Sequence, residues 1–311
     1  MWIDIAHFEI VQGFKKVSVW IYFIIFFALA FLIANILGGA FSGASIVIGN
    51  QATNVNSPLL IATLQIIFTI FGILICAAVF GNAGYRDYVT NMHPLMFTKP
   101  IKASNYFVGR FCGSFIISLF IQLGITLGLA IGFLMPFLDQ DALGAFRIGA
   151  YLQPILIMVI PNIFLVGSIL FTLAILFRRM LPTYLASVIL LFGYLTSSNL
   201  TGDIETRWIA ALLDPFGGAA VDDLVRYWTP AEQDNLLIPM GKWLVLNRII
   251  WIIVGAFFFL FGMKRFSFSR QYKLFNKRST KDNKAVESSP TNEVVGYELI
   301  CLLYTSDAAD E

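Results

Sequence analysis

The hydrophobic positions of this 311-residue chain fall in long uninterrupted runs separated by shorter polar stretches. A membrane-crossing helix needs about 20 mainly apolar residues. Six runs meet or approach that length: Val17–Gly38, Leu59–Phe80, Tyr106–Leu134, Tyr151–Phe177, Pro182–Thr196 and Arg248–Met263. The fifth is short. Arg178 and Arg179 leave only Met180 and Leu181 before Pro182, so the fourth and fifth runs must form a tight helical hairpin. Pro154 and Pro161 predict a kink in the fourth, and Asn162 needs a hydrogen-bond partner within hydrocarbon. Ahead of the first run, residues 1–16 place Ile3, Ala6, Ile10 and Phe14 along one side of a helix suited to the headgroup region. A cleaved signal peptide fits less well, because the apolar run that follows is about 20 residues against the usual 7–15 or so.

The pattern predicts an all-α polytopic membrane protein. It has six transmembrane helices, an N-terminal interfacial amphipathic helix, and one larger extracytoplasmic segment between helices five and six. The divisions are 1–16 (interfacial helix), 17–263 (membrane domain, with a polar loop at 81–105 and the outer segment at 197–247) and 264–300 (a basic, then flexible linker). Residues 301–311, CLLYTSDAADE, read as an in-frame translation of a transposon-type sequencing adapter, so the natural chain is expected to continue past about Ile300.

Composition agrees: 58% of residues are hydrophobic and only 13% are charged, against about 25% charged in soluble domains. The net charge of +2 hides a segregation of sign. With the N-terminus inside, the inner segments hold sixteen Lys and Arg residues and the outer ones five, which sets the N-terminus in the cytoplasm. Cys76 and Cys112 lie in or at the start of apolar runs without metal-type spacing, and read as small buried hydrophobes.

Four-residue steps of glycine mark the third run: Gly124, Gly128 and Gly132, with Gly109 and Gly113 near its start. Small residues so spaced let helix backbones approach closely, within the bundle or across a dimer seam. In the outer segment, Thr229-Pro230-Ala231-Glu232 has the form of a capping box. Its acids, Asp222-Asp223 among them, do not complete a calcium loop and read as a solvated face.

The chemistry of catalysis is missing. With only two histidines, His7 and His93, neither a zinc helix nor a histidine-centred constellation can be built, and no phosphate-binding glycine loop occurs. The chain is therefore expected not to be an enzyme and to hold no metal or cofactor. Ionisable residues are nearly absent from the middle of the spans, which argues against an ion-coupled carrier. A passive channel would need a repeated polar stripe, and none is evident in the runs. Arg110 is expected to reach the interface from the first turns of its helix.

The loop between the second and third runs is the conspicuous polar interruption. Asn82-Ala83-Gly84 is expected to break the second helix, Tyr85–Asn91 to form a short helix along the membrane, and Pro94 and Pro100 to stiffen the return. With its Tyr85-Arg86-Asp87, Phe97-Thr98-Lys99-Pro100-Ile101, Tyr106 and Gly109-Arg110-Phe111, the loop and its six-span setting resemble the permease half of an ABC type-2 transporter. More narrowly, Asp214-Pro215-Phe216, Tyr227-Trp228-Thr229, Glu232, Asn247-Arg248 and Trp251 resemble bacterial permeases that carry two membrane halves and a C-terminal zinc aminopeptidase domain. The resemblance covers about residues 1–265; Asp234 departs from it where a basic residue is expected.

The resemblance implies a multi-pass permease of the bacterial cytoplasmic (inner) membrane. It would be driven by a separate cytosolic ABC ATPase that carries the ATP and magnesium and docks on the 81–105 loop. It further implies a second permease half, in the same full-length chain or a homodimer, and a lipid bilayer but no nucleic acid as surroundings. On this reading Arg86, Asp87, His93, Thr98, Lys99, Pro100 and Arg110 contact the ATPase or frame that contact; the competing reading is ordinary anchoring by inside cations. The alternative role is a membrane anchor or scaffold for an aminopeptidase domain lying beyond this sequence.

Overall fold

A computed structural model describes residues 1–41, 54–90, 101–199 and 207–266. Among them there are helices and connecting turns but no strand. Helix α1 (Trp2–Phe14) is followed after a two-residue elbow by α2 (Val17–Leu37). Helix α3 (Pro58–Val89) begins on Ser57, whose hydroxyl accepts from Leu60 N at 3.3 Å, with Pro58 in the first turn where its missing N–H costs nothing. Helix α4 spans Ala103–Gly132. The fourth apolar run forms α5 (Ile148–Pro154), a π-type turn at Ile155–Val159, and α6 (Ile160–Phe177). Helix α7 (Leu181–Asn199) returns antiparallel, after Arg178 takes the left-handed conformation (φ 53°) that ends α6. Three short helices follow, α8 (Arg207–Leu213), α9 (Gly218–Val225) and α10 (Pro230–Asn235), before α11 (Lys242–Arg265).

Helices α2, α3, α4, α5–α6 and α11 are each long and apolar enough to cross a membrane; the apolar part of α7, Leu181–Thr196, is shorter. Large apolar side chains face outward from them, as from α2 through Ile21, Ile24, Ile25, Leu29 and Leu32. A helix apolar on all sides, with half of that surface unburied by protein, belongs in lipid. The chain is thus an all-helical, multi-pass membrane protein.

Inside the bundle, α2 lies along α4, and α3 and α11 lie along α6. A Cβ on Gly124 would meet Phe23 O at 2.9 Å, and one on Gly128 or Gly132 would run into Ala30 or Ala34. All three glycines therefore serve contact with α2. Gly109 and Gly113 do the same for α1, against Trp2 O and Ala6 O. Further in, rings of Phe80, Phe107, Phe111, Phe171 and Phe259 interlock, with centroids 4.9 Å apart for Phe107–Phe171 and 4.8 Å for Phe111–Phe259 in tilted, edge-on geometry.

The structure differs from the sequence-based expectation at three places in the fold. Helix α3 is not broken at Asn82-Ala83-Gly84 but runs on to Val89. Gly84 packs against Ala174 and the backbone of Ile175, and Gly81 against Met180, so tertiary contact holds a stretch of weak helix propensity in the helix. In α1 the face turned to the protein is Ala6, Glu9 and Gly13, whereas Ile3 is exposed; the glycines of α4 admit only small residues on that side. In the segment between α7 and α11, Ala210 and Ala211 of α8, Phe216 in the turn after it, and Ala220 and Val221 of α9 are buried, which the sequence reading did not foresee, while Asp222 is exposed as expected.

Candidate functional site

The two helices that flank the 90–102 loop end in a buried charged node, and α1 is its third side. Arg110, in the second turn of α4, is 2% exposed. Its Nη1 donates to Glu9 Oε2 at 2.8 Å and its Nη2 to Asp87 Oδ2 near the end of α3. Tyr106 Oη donates to the same Asp87 oxygen at 2.6 Å, and the guanidinium lies 5.2 Å from the Tyr106 ring centroid. Arg86 completes the set, its Nη2 3.0 Å from Glu9 Oε2 and its Nε 3.8 Å from Asp87 Oδ1. Each of the two arginines thus lies within ion-pair distance of both acids. Glycine at 109 and 113 is what allows it, since α1 lies close enough on α4 for the short Glu9 side chain to reach. Nearby, Arg178 of the α6–α7 turn stacks 4.4 Å from the Tyr88 ring centroid, tying that hairpin to the end of α3.

Buried ion pairs add little net stability relative to apolar packing, because both charges must be desolvated. Their physical consequence is specificity of arrangement. Removing Arg110 leaves the buried Glu9 and Asp87 with Arg86 as their one cation, so the intact node favours one relative position of α1, α3 and α4.

Of the residues expected at the site, Arg86, Asp87 and Arg110 are brought together here. The Arg110 side chain turns inward into the protein, held by two carboxylates. Asp87 is buried as well, and Arg86 is only 22% exposed, so these three frame the loop and leave little surface for a partner. His93, Thr98, Lys99 and Pro100 lie outside the described residues. Glu9 and Tyr88 were not anticipated and Tyr106 was noted only within the loop's motif; the signal for Glu9 was weak, one of two acids on the N-terminal helix.

A second polar cluster sits at the opposite end of the bundle, where Asn162 was expected to find a partner between helices. Asn162 Oδ1 accepts from Arg248 Nη1 at 2.8 Å and its Nδ2 donates to Phe216 O at 3.2 Å. Asn247 Nδ2 bridges the carbonyls of Ala211 and Asp214, at 2.6 and 2.8 Å. Asp214 accepts from Phe216 N and Ala219 N, capping α9; burial raises its carboxyl above the usual range. Arg248, counted by sequence as an outer-loop cation, is 6% exposed. The outer motif residues Asp214-Pro215-Phe216, Asn247-Arg248 and Trp251 therefore serve one purpose, holding α8 and α9 against α6 and α11. Thr229 and Glu232 form a reciprocal capping box on α10, and Asp234 accepts from Asn54 N at 2.8 Å.

A polar stripe does exist in the spans. Ser114, Ser118, Gln122 and Thr126 follow each other at four-residue steps on α4 and are all buried. Gln122 lies against Gly72 of α3, while Gln122 Oε1 and Ser118 Oγ have no hydrogen-bond partner. Reading the runs by overall hydropathy hides it, since three apolar residues separate each polar one. Among the described residues no three His, Cys, Asp or Glu side chains are grouped to hold a metal.

Comparison with protein-family models and with curated proteins returns no match. The geometry therefore stands by itself.

Proposed function

We propose that this chain is the permease subunit of an ABC type-2 transporter, with six membrane spans and its N-terminus in the cytoplasm of a bacterial cell. A separate cytosolic ATPase docks on the 90–102 loop, and ATP binding and hydrolysis there rearrange the bundle. The observation that carries the reading is the charged node. Any force applied to the loop arrives at α3 and α4 at the point where Glu9, Arg86, Asp87 and Arg110 bind those helices to α1.

Length supports the same reading. At 1.5 Å per residue the 32 residues of α3 and the 30 of α4 extend about 48 and 45 Å, beyond the roughly 30 Å hydrocarbon core. On this reading the surplus lies at the charged end of both helices and carries the node out of the hydrocarbon. Helix α7, short in its apolar part and joined to α6 by a three-residue turn, is the sixth span.

Co-purification with a co-expressed ABC ATP-binding subunit tests the docking. Since Arg86 is occupied by the node, the informative changes are in the loop and its exposed edge: Lys99→Glu with Lys102→Glu. Wild-type chain retains the ATPase and the double variant loses it. Retention undiminished by the two reversals would remove the loop as the socket.

A further inference from the structure

A cavity of about 80 Å³ opens beside the node, between α1, α2, α3 and α4. Glu9 and Ser114, both buried, line its inner side, and Lys16, Ser18, Tyr22 and Asn82 line its outer side, where Ser18 and Asn82 are exposed. At about 30 Å³ per water molecule the space suits two or three waters or one phosphate-sized group.

Charge decides what it favours. The surroundings hold three cations, Lys16, Arg86 and Arg110, against two carboxylates, Glu9 and Asp87. The arginines are spent on those carboxylates, and Lys16 forms no ion pair among the described residues. Burial, and then the nearness of Arg86, push the Lys16 ammonium below its ordinary range, with Glu9 offsetting only part of that. Helix α2 starts at Val17 with no side chain capping its first amides, which adds the positive end of a helix dipole at the same place. Around the opening, Ser18, Tyr22 and Asn82 supply neutral donors.

The location names the source of the anion. With α1 taken as the interfacial helix of the sequence reading, its elbow with α2 falls at the level of the lipid headgroups. We propose that this cavity binds the phosphate of an anionic lipid headgroup, seated on Lys16 and bridging α1 to α2. The inference goes beyond the transport reading and does not depend on an ATPase.

Native mass spectrometry of the full chain, released from nanodiscs of mixed phosphatidylglycerol and phosphatidylcholine, reads the site directly. The wild-type chain is expected to keep one phosphatidylglycerol in preference to phosphatidylcholine. Lys16→Ala lowers that retention about fivefold, the weight of one lysine at an anionic membrane surface. Lys15→Ala, an exposed neighbour that does not line the cavity, leaves retention unchanged. Asn82→Leu, which obstructs the opening without changing charge, lowers retention as well. Equal retention of the two lipids, equal loss from Lys15→Ala and Lys16→Ala, or indifference to Asn82→Leu would each overturn the proposal. A parallel arm adds inorganic phosphate to detergent-purified chain: stabilisation by phosphate that requires Lys16, with no preference for phosphatidylglycerol, would overturn the lipid as its carrier.

Discussion

Replacing Arg110 by methionine takes the hub out of the charged node while keeping an unbranched side chain in its place. At an effective dielectric of about 20, unit charges 2.8 Å apart, as for Arg110 and Glu9, attract by roughly 6 kcal/mol. Desolvating an arginine that is 2% exposed offsets much of that, so the intact node contributes little net stability. The variant has no such compensation. Glu9 and Asp87, 3% and 6% exposed, would remain buried with Arg86 as their one cation, and truncating a buried pair in this way costs about 3–5 kcal/mol. In thermal unfolding of the detergent-solubilised chain, that corresponds to a fall in midpoint of roughly 10 °C. Glu9→Gln alone also destabilises, since Arg86 and Arg110 lose their shared acceptor. The double variant should be less damaged than the two losses added together, by about 2 kcal/mol, because each change removes the partner the other leaves exposed. An Arg110→Met midpoint within about 1 °C of wild type, or strictly additive losses, would refute the idea that this node binds α1 to the ends of α3 and α4.

Three further outcomes follow from other parts of the molecule. Gly128→Leu drives a side chain into Phe27 O and Ala30, and should cost about 1–3 kcal/mol as α2 is pushed off α4, whereas Gly193→Ala, with open space around it, should be close to neutral; paired unfolding curves measure both. Asn247→Leu leaves the Ala211 and Asp214 carbonyls without their buried donor and should destabilise by about 1–3 kcal/mol, with amide exchange rising first in α8 and α9. The Glu232 carboxylate is held below the usual glutamate range by the Thr229 backbone N–H, then by its hydroxyl, so protection of α10 is present above the ordinary glutamate pKa and lost as pH falls through the lower folded value; hydrogen exchange at stepped pH should show it, and Glu232→Gln should flatten the dependence.

The membrane helices were legible because apolar runs of this length have one physical outlet. Their ends were less so. Helix α3 passes through Asn82-Ala83-Gly84 because Ala174 and Ile175 lie against Gly84, a contact with the far side of the chain that no local propensity encodes. The node was half legible. Arg86, Asp87 and Arg110 drew attention as charges at the edge of grease, but their orientation depends on Glu9, 101 positions before Arg110. Sequence reading took Arg110 to reach the interface and did not foresee the two carboxylates that hold it, since its own neighbourhood does not supply both. Arg248 was misplaced for the same reason. It lies at the start of an apolar run and its partners, Asn162 and the Pro215 carbonyl, come from other segments. The glycine steps carried more information than their spacing alone suggested: Gly109 and Gly113 seat α1, and Gly124, Gly128 and Gly132 seat α2, so one face of α4 is built to be covered twice.

The central claim is that the 90–102 loop receives work from an ATPase and passes it through the node to the bundle. Its most direct test is ATP hydrolysis by an ABC ATP-binding subunit reconstituted in liposomes with the full-length chain. The account predicts that the wild-type chain changes the hydrolysis rate, and that Lys99→Glu with Lys102→Glu returns it to the rate of the ATPase alone. Hydrolysis indifferent to the chain, wild type and variant alike, would contradict the account and leave the bundle as a membrane anchor.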